Sequence, residues 1–140
     1  MYTRILVPLE NSEADQTILD HVLDLARLHR AHILFAHVAV GFAARYQDAL
    51  DLQDSEEIRR ARAYLASVKA RFEEDGFDAE IVLETGDAAS RLVELAESNE
   101  CDLIAMATHR HGIFQDVLRG SVAHAVRHRT RIPVLMVPSR

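Results

Sequence analysis

The sequence is poor in the features on which several common protein classes depend. Its 140 residues include one cysteine, Cys101, and no apolar run approaches the length of a membrane span. A lone cysteine cannot form an internal disulfide, which is typical of proteins kept in a reducing cytoplasm. We expect no signal peptide ahead of the first apolar run. We therefore expect a cytoplasmic protein without a membrane span.

Lysine is almost absent, and Lys69 is its single example. The chain has no Walker-type loop, which needs a lysine to contact phosphates, and no Gly-x-Ser-x-Gly segment to present a nucleophilic serine. These absences favour a binding protein over an enzyme.

Basic residues outnumber acidic ones only towards the end of the chain. The net charge is −6 at pH 7, which argues against a general nucleic-acid binder. From residue 109 onward, however, six arginines face one acidic residue, Asp116. The sequence therefore predicts either an anion-binding site in this region or simply a mildly basic chain end.

Apolar runs separated by helical stripes extend through the whole chain. Continuous or alternating apolar runs predict strands at 5–7, 33–38, 77–84, 103–107 and 134–137. Apolar residues at spacings of three and four predict a helix between successive strands. This order predicts one domain over residues 1–140, with a Rossmann-like α/β fold. We expect a doubly wound sheet of five parallel strands, in the order 3-2-1-4-5, with four helices on its two faces.

The predicted topology brings two loops together. Ligands of doubly wound sheets bind at the carboxyl ends of the strands, where the strand order reverses, and here loops 8–12 and 107–121 meet. Gly120 and Ser121 predict the start of the fourth helix, whose free N–H groups and positive dipole end suit an anion. His109, Arg110 and Arg119 add positive charge.

Three further features carry local predictions. Ser12, followed three residues later by Asp15, predicts a capping pattern at the start of the first helix. His37 lies within the second strand, where a hydrogen-bonded core residue is the expected role. Residues 39–54 form the least regular part of the chain and are expected to act as a lid or a partner surface.

Two segments resemble the universal stress protein family. I-L-V-P-L-E-N-S-E at residues 5–13 is similar to the opening strand and turn of that family. G-S-V-A-H-A-V-R-H-R-T-R-I-P-V-L-M-V at residues 120–137 is similar to its Gly-Ser-Val helix and final strand. The resemblance implies a dimeric, non-catalytic stress-response or regulatory protein that binds ATP or another adenine nucleotide. Slow incidental ATP hydrolysis is compatible with this role.

The resemblance also implies a set of ligand contacts. Glu10 matches the ribose-contacting aspartate of the family, and Val38 matches the position whose backbone contacts adenine. ATP-binding members carry a glycine, two residues, a second glycine, nine residues and then Gly-Ser or Gly-Thr. In this chain Ala107 and Arg110 replace the first two glycines. The expected nucleotide-binding residues are Pro8, Leu9, Glu10, Val38, Met106, Ala107, His109, Arg110, Arg119, Gly120, Ser121 and Val122.

The replaced glycines leave an alternative function open. The fold could be retained without a nucleotide, as an interaction module that acts through its dimer and residues 39–54. His109 and His111 could begin a metal site, but no further ligand completes it. We expect no metal other than Mg²⁺ brought by nucleotide phosphates.

The last strand predicts the dimer. Residues 134–137 are apolar, and an edge strand there exposes unpaired N–H and C=O groups. Pairing with the same strand of a second chain would satisfy these groups, and the resemblance implies the same dimer. The expected dimer residues are Val134, Leu135, Met136 and Val137.

The role of Arg110 can be tested directly. If its guanidinium contacts phosphate, Arg110→Gly weakens nucleotide binding, most clearly at low salt, because charge-assisted contacts to phosphate are screened by ions. Titration calorimetry of both proteins at two salt concentrations measures this effect. Tighter binding by Arg110→Gly would show that Arg110 obstructs the phosphate position.

Overall fold

Five strands alternate with four helices in the part of the chain that the structure describes. The computed structural model describes residues 1–39, 56–108 and 115–139, and the side chains of residues 115–121 are left out of the description. The elements in chain order are β1 (Arg4–Pro8), α1 (Asp15–His29), β2 (His32–Ala39), α2 (Glu56–Glu74), β3 (Ala79–Thr85), α3 (Ala88–Ser98), β4 (Leu103–Thr108), α4 (Gln115–Arg129) and β5 (Val134–Pro138). None of the helices in these ranges is long enough and apolar enough to cross a membrane.

The sheet has the predicted topology. All neighbouring strands are parallel, in the order β3-β2-β1-β4-β5, which confirms the doubly wound fold. The central strand β1 pairs with β2 from Arg4 to Pro8, and with β4 at Ile5 and Leu6. As predicted, β3 and β5 are the edge strands.

Each face of the sheet is covered by two helices. Ile5 and Val7 belong to the core on the α1 and α2 side, whereas Leu6 belongs to the core on the α3 and α4 side. This alternation follows from the period of two along a strand. On the first side, the rings of Phe35 and Phe72 pack edge to face, with their centroids 4.9 Å apart. Alternate residues of a continuous apolar run therefore pack on opposite faces of the sheet.

The prediction that the fourth helix begins at Ser121 is wrong, because α4 begins six residues earlier, at Gln115. Gly120 costs only about 1 kcal/mol inside a helix, so it does not have to mark a helix start. The backbone N–H groups of Gly120 and Ser121 therefore lie within the helical ladder and not at its free end.

The predicted capping role of Ser12 is also wrong. The helix α1 begins at Asp15, and its N-cap, Ala14, makes no side-chain capping hydrogen bond. The Ser12 hydroxyl instead accepts a hydrogen bond from the Ala14 N–H at 3.2 Å. The Asp15 side chain is only 1% exposed and turns back towards the loop that precedes the helix.

The single cysteine is part of the core. Cys101 is 6% exposed and packs with the residues under α3 and α4. Burial raises the pKa of its thiol to about 11, and the nearby Arg4 only partly opposes this rise. The thiol is therefore protonated at neutral pH.

Two leucines give a matched test of the core. Leu65 on α2 is 1% exposed and Leu28 on α1 is 76% exposed. We expect Leu65→Ala to lower the free energy of unfolding by about 2–5 kcal/mol, because it leaves a cavity. Leu28→Ala, with the same change in helix propensity, should cost about 0.5 kcal/mol or less. Equilibrium denaturation measures both, and equal losses would contradict the assigned core.

Candidate functional site

A cleft opens above the carboxyl ends of β1, β2 and β4. The chain leaves β1 towards α1 on one face of the sheet and leaves β4 towards α4 on the other face, so the connections diverge between these strands. The cleft has a volume of about 280 Å³. It is called the switch-point cleft below, and its described lining residues are Pro8, Leu9, Glu10, Ala36, His37, Val38, Ala88, Leu92, Met106, Ala107 and Val122.

Seven predicted site residues meet in this cleft. They come from the β1–α1 loop, the ends of β2 and β4, and α4, and they are Pro8, Leu9, Glu10, Val38, Met106, Ala107 and Val122. His109 and Arg110 lie outside the described residues, as do residues 40–54 of the predicted lid or partner surface. Arg119, Gly120 and Ser121 lie on the backbone of α4, without described side chains. The ligand contacts of all these residues stay predictions.

Sequence reasoning missed four lining residues. Ala36 and His37 lie in β2, next to the predicted Val38, and Ala88 and Leu92 lie one turn apart in α3. The pair on α3 follows the Gly86–Asp87 turn at the end of β3, so it reaches the same edge of the sheet as the other site residues. Their place directly after the end of β3 is the one feature of the sequence that could have identified them, because apolar side chains carry no chemical signature of their own.

The cleft combines apolar walls with two titratable groups. Its three alanines and the side chains of Leu92, Met106 and Val122 give it a predominantly apolar surface. Among the described lining residues, Glu10 and His37 have titratable side chains. Apolar walls with few polar groups are typical of sites that hold a flat organic molecule and orient it through one polar end.

The loop between β1 and α1 is held in place by backbone contacts. The Leu9 N–H donates to the carbonyl oxygen of Ala36 at 2.7 Å, which extends the pairing of β1 with β2 beyond the strand. Asn11 follows with φ of 62°, a left-handed conformation that asparagine adopts more readily than most residues. Glu10 lies between Leu9, which is hydrogen-bonded to β2, and Asn11, and it lines the cleft.

His37 contributes a further contact to this loop. Its Nδ1 lies 2.8 Å from the carbonyl oxygen of Leu9. Because a carbonyl oxygen only accepts hydrogen bonds, Nδ1 carries the proton in this contact. The prediction of a hydrogen-bonded histidine in the second strand is confirmed, although the side chain is half-buried and borders the cleft.

Two larger clefts lie on the α1 and α2 side of the sheet. One, of about 380 Å³, is bordered by Tyr64 and Arg71, and the other, of about 430 Å³, is bordered by Glu10, Glu57 and Arg60. The second has mainly charged and polar walls. An apolar ring is better accommodated in the switch-point cleft, where alanines and aliphatic side chains line the walls.

Comparison with known proteins establishes the family. The model of the universal stress protein family matches residues 1–138. The chain therefore belongs to the universal stress protein family, as the resemblance of its two terminal segments implied.

Individual relatives agree over nearly the full chain. The universal stress protein MJ0577 of Methanocaldococcus jannaschii is 25% identical, and the match covers 98% of this chain and 95% of the relative. Its structure has a TM-score of 0.82, over 100% of this chain and 98% of that chain. A family member from Burkholderia pseudomallei is 29% identical, with a TM-score of 0.72, over 99% of this chain and 97% of the other.

A more distant structure shares the fold. The universal stress protein from Archaeoglobus fulgidus, solved in complex with dAMP, is 19% identical and has a TM-score of 0.72. The match covers 97% of this chain and 98% of that chain. At this identity the similarity shows the fold alone.

Proposed function

We propose that the protein binds an adenine nucleotide in the switch-point cleft and acts as a regulatory protein of the stress response. The observation that carries the proposal is the composition of the cleft. An apolar cavity at the switch point, with one carboxylate at its border, suits a purine base and a ribose. The dAMP complex of the Archaeoglobus fulgidus protein supports the proposal, because it shows that this fold can hold an adenine nucleotide.

The lining residues then divide into two groups by chemistry. Val38, Met106 and Val122, which line the cleft, provide apolar contacts for the base. The backbone of Val38 contacts the polar edge of the base, as the family resemblance implies. The Glu10 carboxylate accepts hydrogen bonds from the ribose hydroxyls, since an ionised carboxylate is an acceptor only. His109, Arg110 and Arg119 supply positive charge for the phosphates.

We further propose that the protein works by binding and not by catalysis. The described residues that line the cleft include no serine, cysteine or lysine that could act as a nucleophile. The Nδ1 of His37 is already engaged with the Leu9 carbonyl, which fixes the ring in a structural contact. Binding of the nucleotide is therefore the proposed signal.

Filling the cleft tests its role. Ala88, at the start of α3, is half-buried and lines the cleft, whereas Ala66, on α2, is exposed. We expect Ala88→Leu to weaken the binding of ATP, ADP and AMP by about tenfold or more, because a larger side chain occupies space that the ligand needs. Ala66→Leu adds the same atoms elsewhere and should leave affinity unchanged. Titration calorimetry measures the affinity of each protein for the three nucleotides.

The wild-type protein decides between the two functions that the sequence left open. A nucleotide released from gently purified protein, or a rise in melting temperature with ATP, ADP or AMP, supports the nucleotide-binding function. If nothing is released and none of the three raises the melting temperature, the proposal fails. The interaction module without a nucleotide would then be the better account of this fold.

We also propose that the protein forms a homodimer through β5. This strand is at the edge of the sheet and pairs only with β4 among the described strands. Val134, Leu135 and Met136 are only half-buried in the single chain, although all three are apolar. Antiparallel pairing of β5 with its copy would cover these side chains and satisfy the outer edge of the strand.

A proline in β5 tests the dimer. The Ser139 N–H donates to Thr108 in β4 at 2.7 Å, so the alternation along a parallel strand directs the Met136 N–H away from β4. We expect Met136→Pro to shift the mass of the particle from dimer to monomer, because proline removes that outward donor. Met136→Leu keeps the donor and should stay dimeric. Light scattering after gel filtration measures the mass, and a dimeric Met136→Pro would contradict pairing through this strand.

A further inference from the structure

One peptide group at the border of the cleft is held from both sides. The carbonyl oxygen of Leu9 accepts from Nδ1 of His37 at 2.8 Å, and the N–H of Glu10 donates to Oδ1 of Asp15 at 2.9 Å. These two backbone groups belong to the same planar peptide unit. Contacts to both of its ends therefore set the orientation of the plane, and with it the direction in which the Glu10 side chain leaves the backbone.

The Asp15 carboxylate is itself held from a distant element. Its Oδ2 accepts from the Asn11 N–H at 2.8 Å and from the Tyr64 hydroxyl at 2.7 Å. Tyr64 lies on α2, 49 residues away in sequence, and is half-buried. His37, Asp15 and Tyr64 form one hydrogen-bonded chain with the Leu9–Glu10 peptide, which is called the peptide clamp below.

The direction of the hydrogen bond between Tyr64 and Asp15 is defined. Burial, together with the hydrogen bond and the negative charge of Asp15, raises the pKa of the Tyr64 hydroxyl well above its usual value. The phenol therefore stays protonated and is the donor, and the carboxylate is the acceptor. A hydrogen bond to a buried charged group is stronger than one between neutral groups, and its loss leaves the charge poorly satisfied.

Neither Asp15 nor Tyr64 lines the switch-point cleft. Any effect that they have on a ligand there must pass through the loop at residues 9–11, whose peptide groups Asp15 holds. A second element, α2, is in this way connected to the residue proposed to contact ribose.

We propose that Asp15 and Tyr64 are positioning residues that, through the Leu9–Glu10 peptide, hold the Glu10 carboxylate where it meets the ribose hydroxyls of the nucleotide. This inference rests on the proposed function of the cleft and adds a means by which α2 controls it. It makes ribose recognition, and not base recognition, the property that the peptide clamp determines.

Two nucleosides distinguish ribose recognition from base recognition. Adenosine carries the ribose hydroxyls and 2′,3′-dideoxyadenosine lacks them, while both carry the same base. We expect Tyr64→Phe to weaken adenosine binding about fivefold, as is usual for coupling within one hydrogen-bonded network, and to leave dideoxyadenosine binding unchanged. Tyr2→Phe removes the same hydroxyl ahead of the amino end of β1, far from the site, and should change neither affinity.

A double-mutant cycle tests whether the effect passes through Glu10. In a Glu10→Gln background, adding Tyr64→Phe should produce no further loss of adenosine affinity, because the carboxylate that Tyr64 positions is already gone. An equal loss for both nucleosides would overturn the proposal, since it would indicate general distortion of the cleft. A full fivefold loss in the Glu10→Gln background would overturn it as well.

A measurement without ligand keeps this inference separate from the proposed function. Amide hydrogen exchange of Glu10 and Asn11, resolved by NMR, should be about tenfold faster in Tyr64→Phe than in wild type, because their acceptor is less firmly held. Unchanged exchange would overturn the peptide clamp whatever the cleft binds. Wild-type protein that binds neither nucleoside would instead overturn the proposed function and the ribose role, while faster exchange in the variant would still support the clamp.

Discussion

The structure depends on the burial of β1 on all four sides. Its residues Ile5, Leu6 and Val7 have no exposed surface, and the strand pairs with β2 on one edge and β4 on the other. Because both faces and both edges of β1 are covered, only the ends of this strand are accessible. Since the connections from β1 and β4 pass over opposite faces, the space above their carboxyl ends stays open. The cleft is therefore a consequence of the order of the strands.

The fold could be predicted because its main signals are local. Unbroken apolar runs indicate strands covered on both faces, and alternation with helical stripes limits the topology to a few possibilities. The two errors at helix starts have a different origin. Gly120 and Ser121 suggest a boundary by their residue types, but an interior glycine costs little when the flanking residues favour the helix. The Ser12 prediction fails because the helix begins three residues later, at Asp15. The Asp15 carboxylate is engaged by the loop N–H groups and by Tyr64, a partner that no local pattern contains.

Part of the candidate site could likewise be predicted from the sequence, and part of it could not. Residues at the carboxyl ends of β1 and β4 were found because the topology places the ends of these strands together. The family resemblance added Val38 at the end of β2 and assigned chemistry to Glu10. Ala88 and Leu92 were not found, because they reach the cleft only through the packing of α3 on the sheet. Their residue types indicate burial and nothing more. A cleft formed by small side chains becomes visible only when the distances between elements are known.

The burial of Cys101 has a consequence for how this protein can respond to its surroundings. Burial raises the pKa of the Cys101 thiol to about 11, so the thiol is almost entirely protonated at pH 7. Peroxides and electrophiles attack the thiolate, so burial disfavours oxidation and alkylation of the sole cysteine of the chain. The chain therefore presents no exposed thiol to an oxidant.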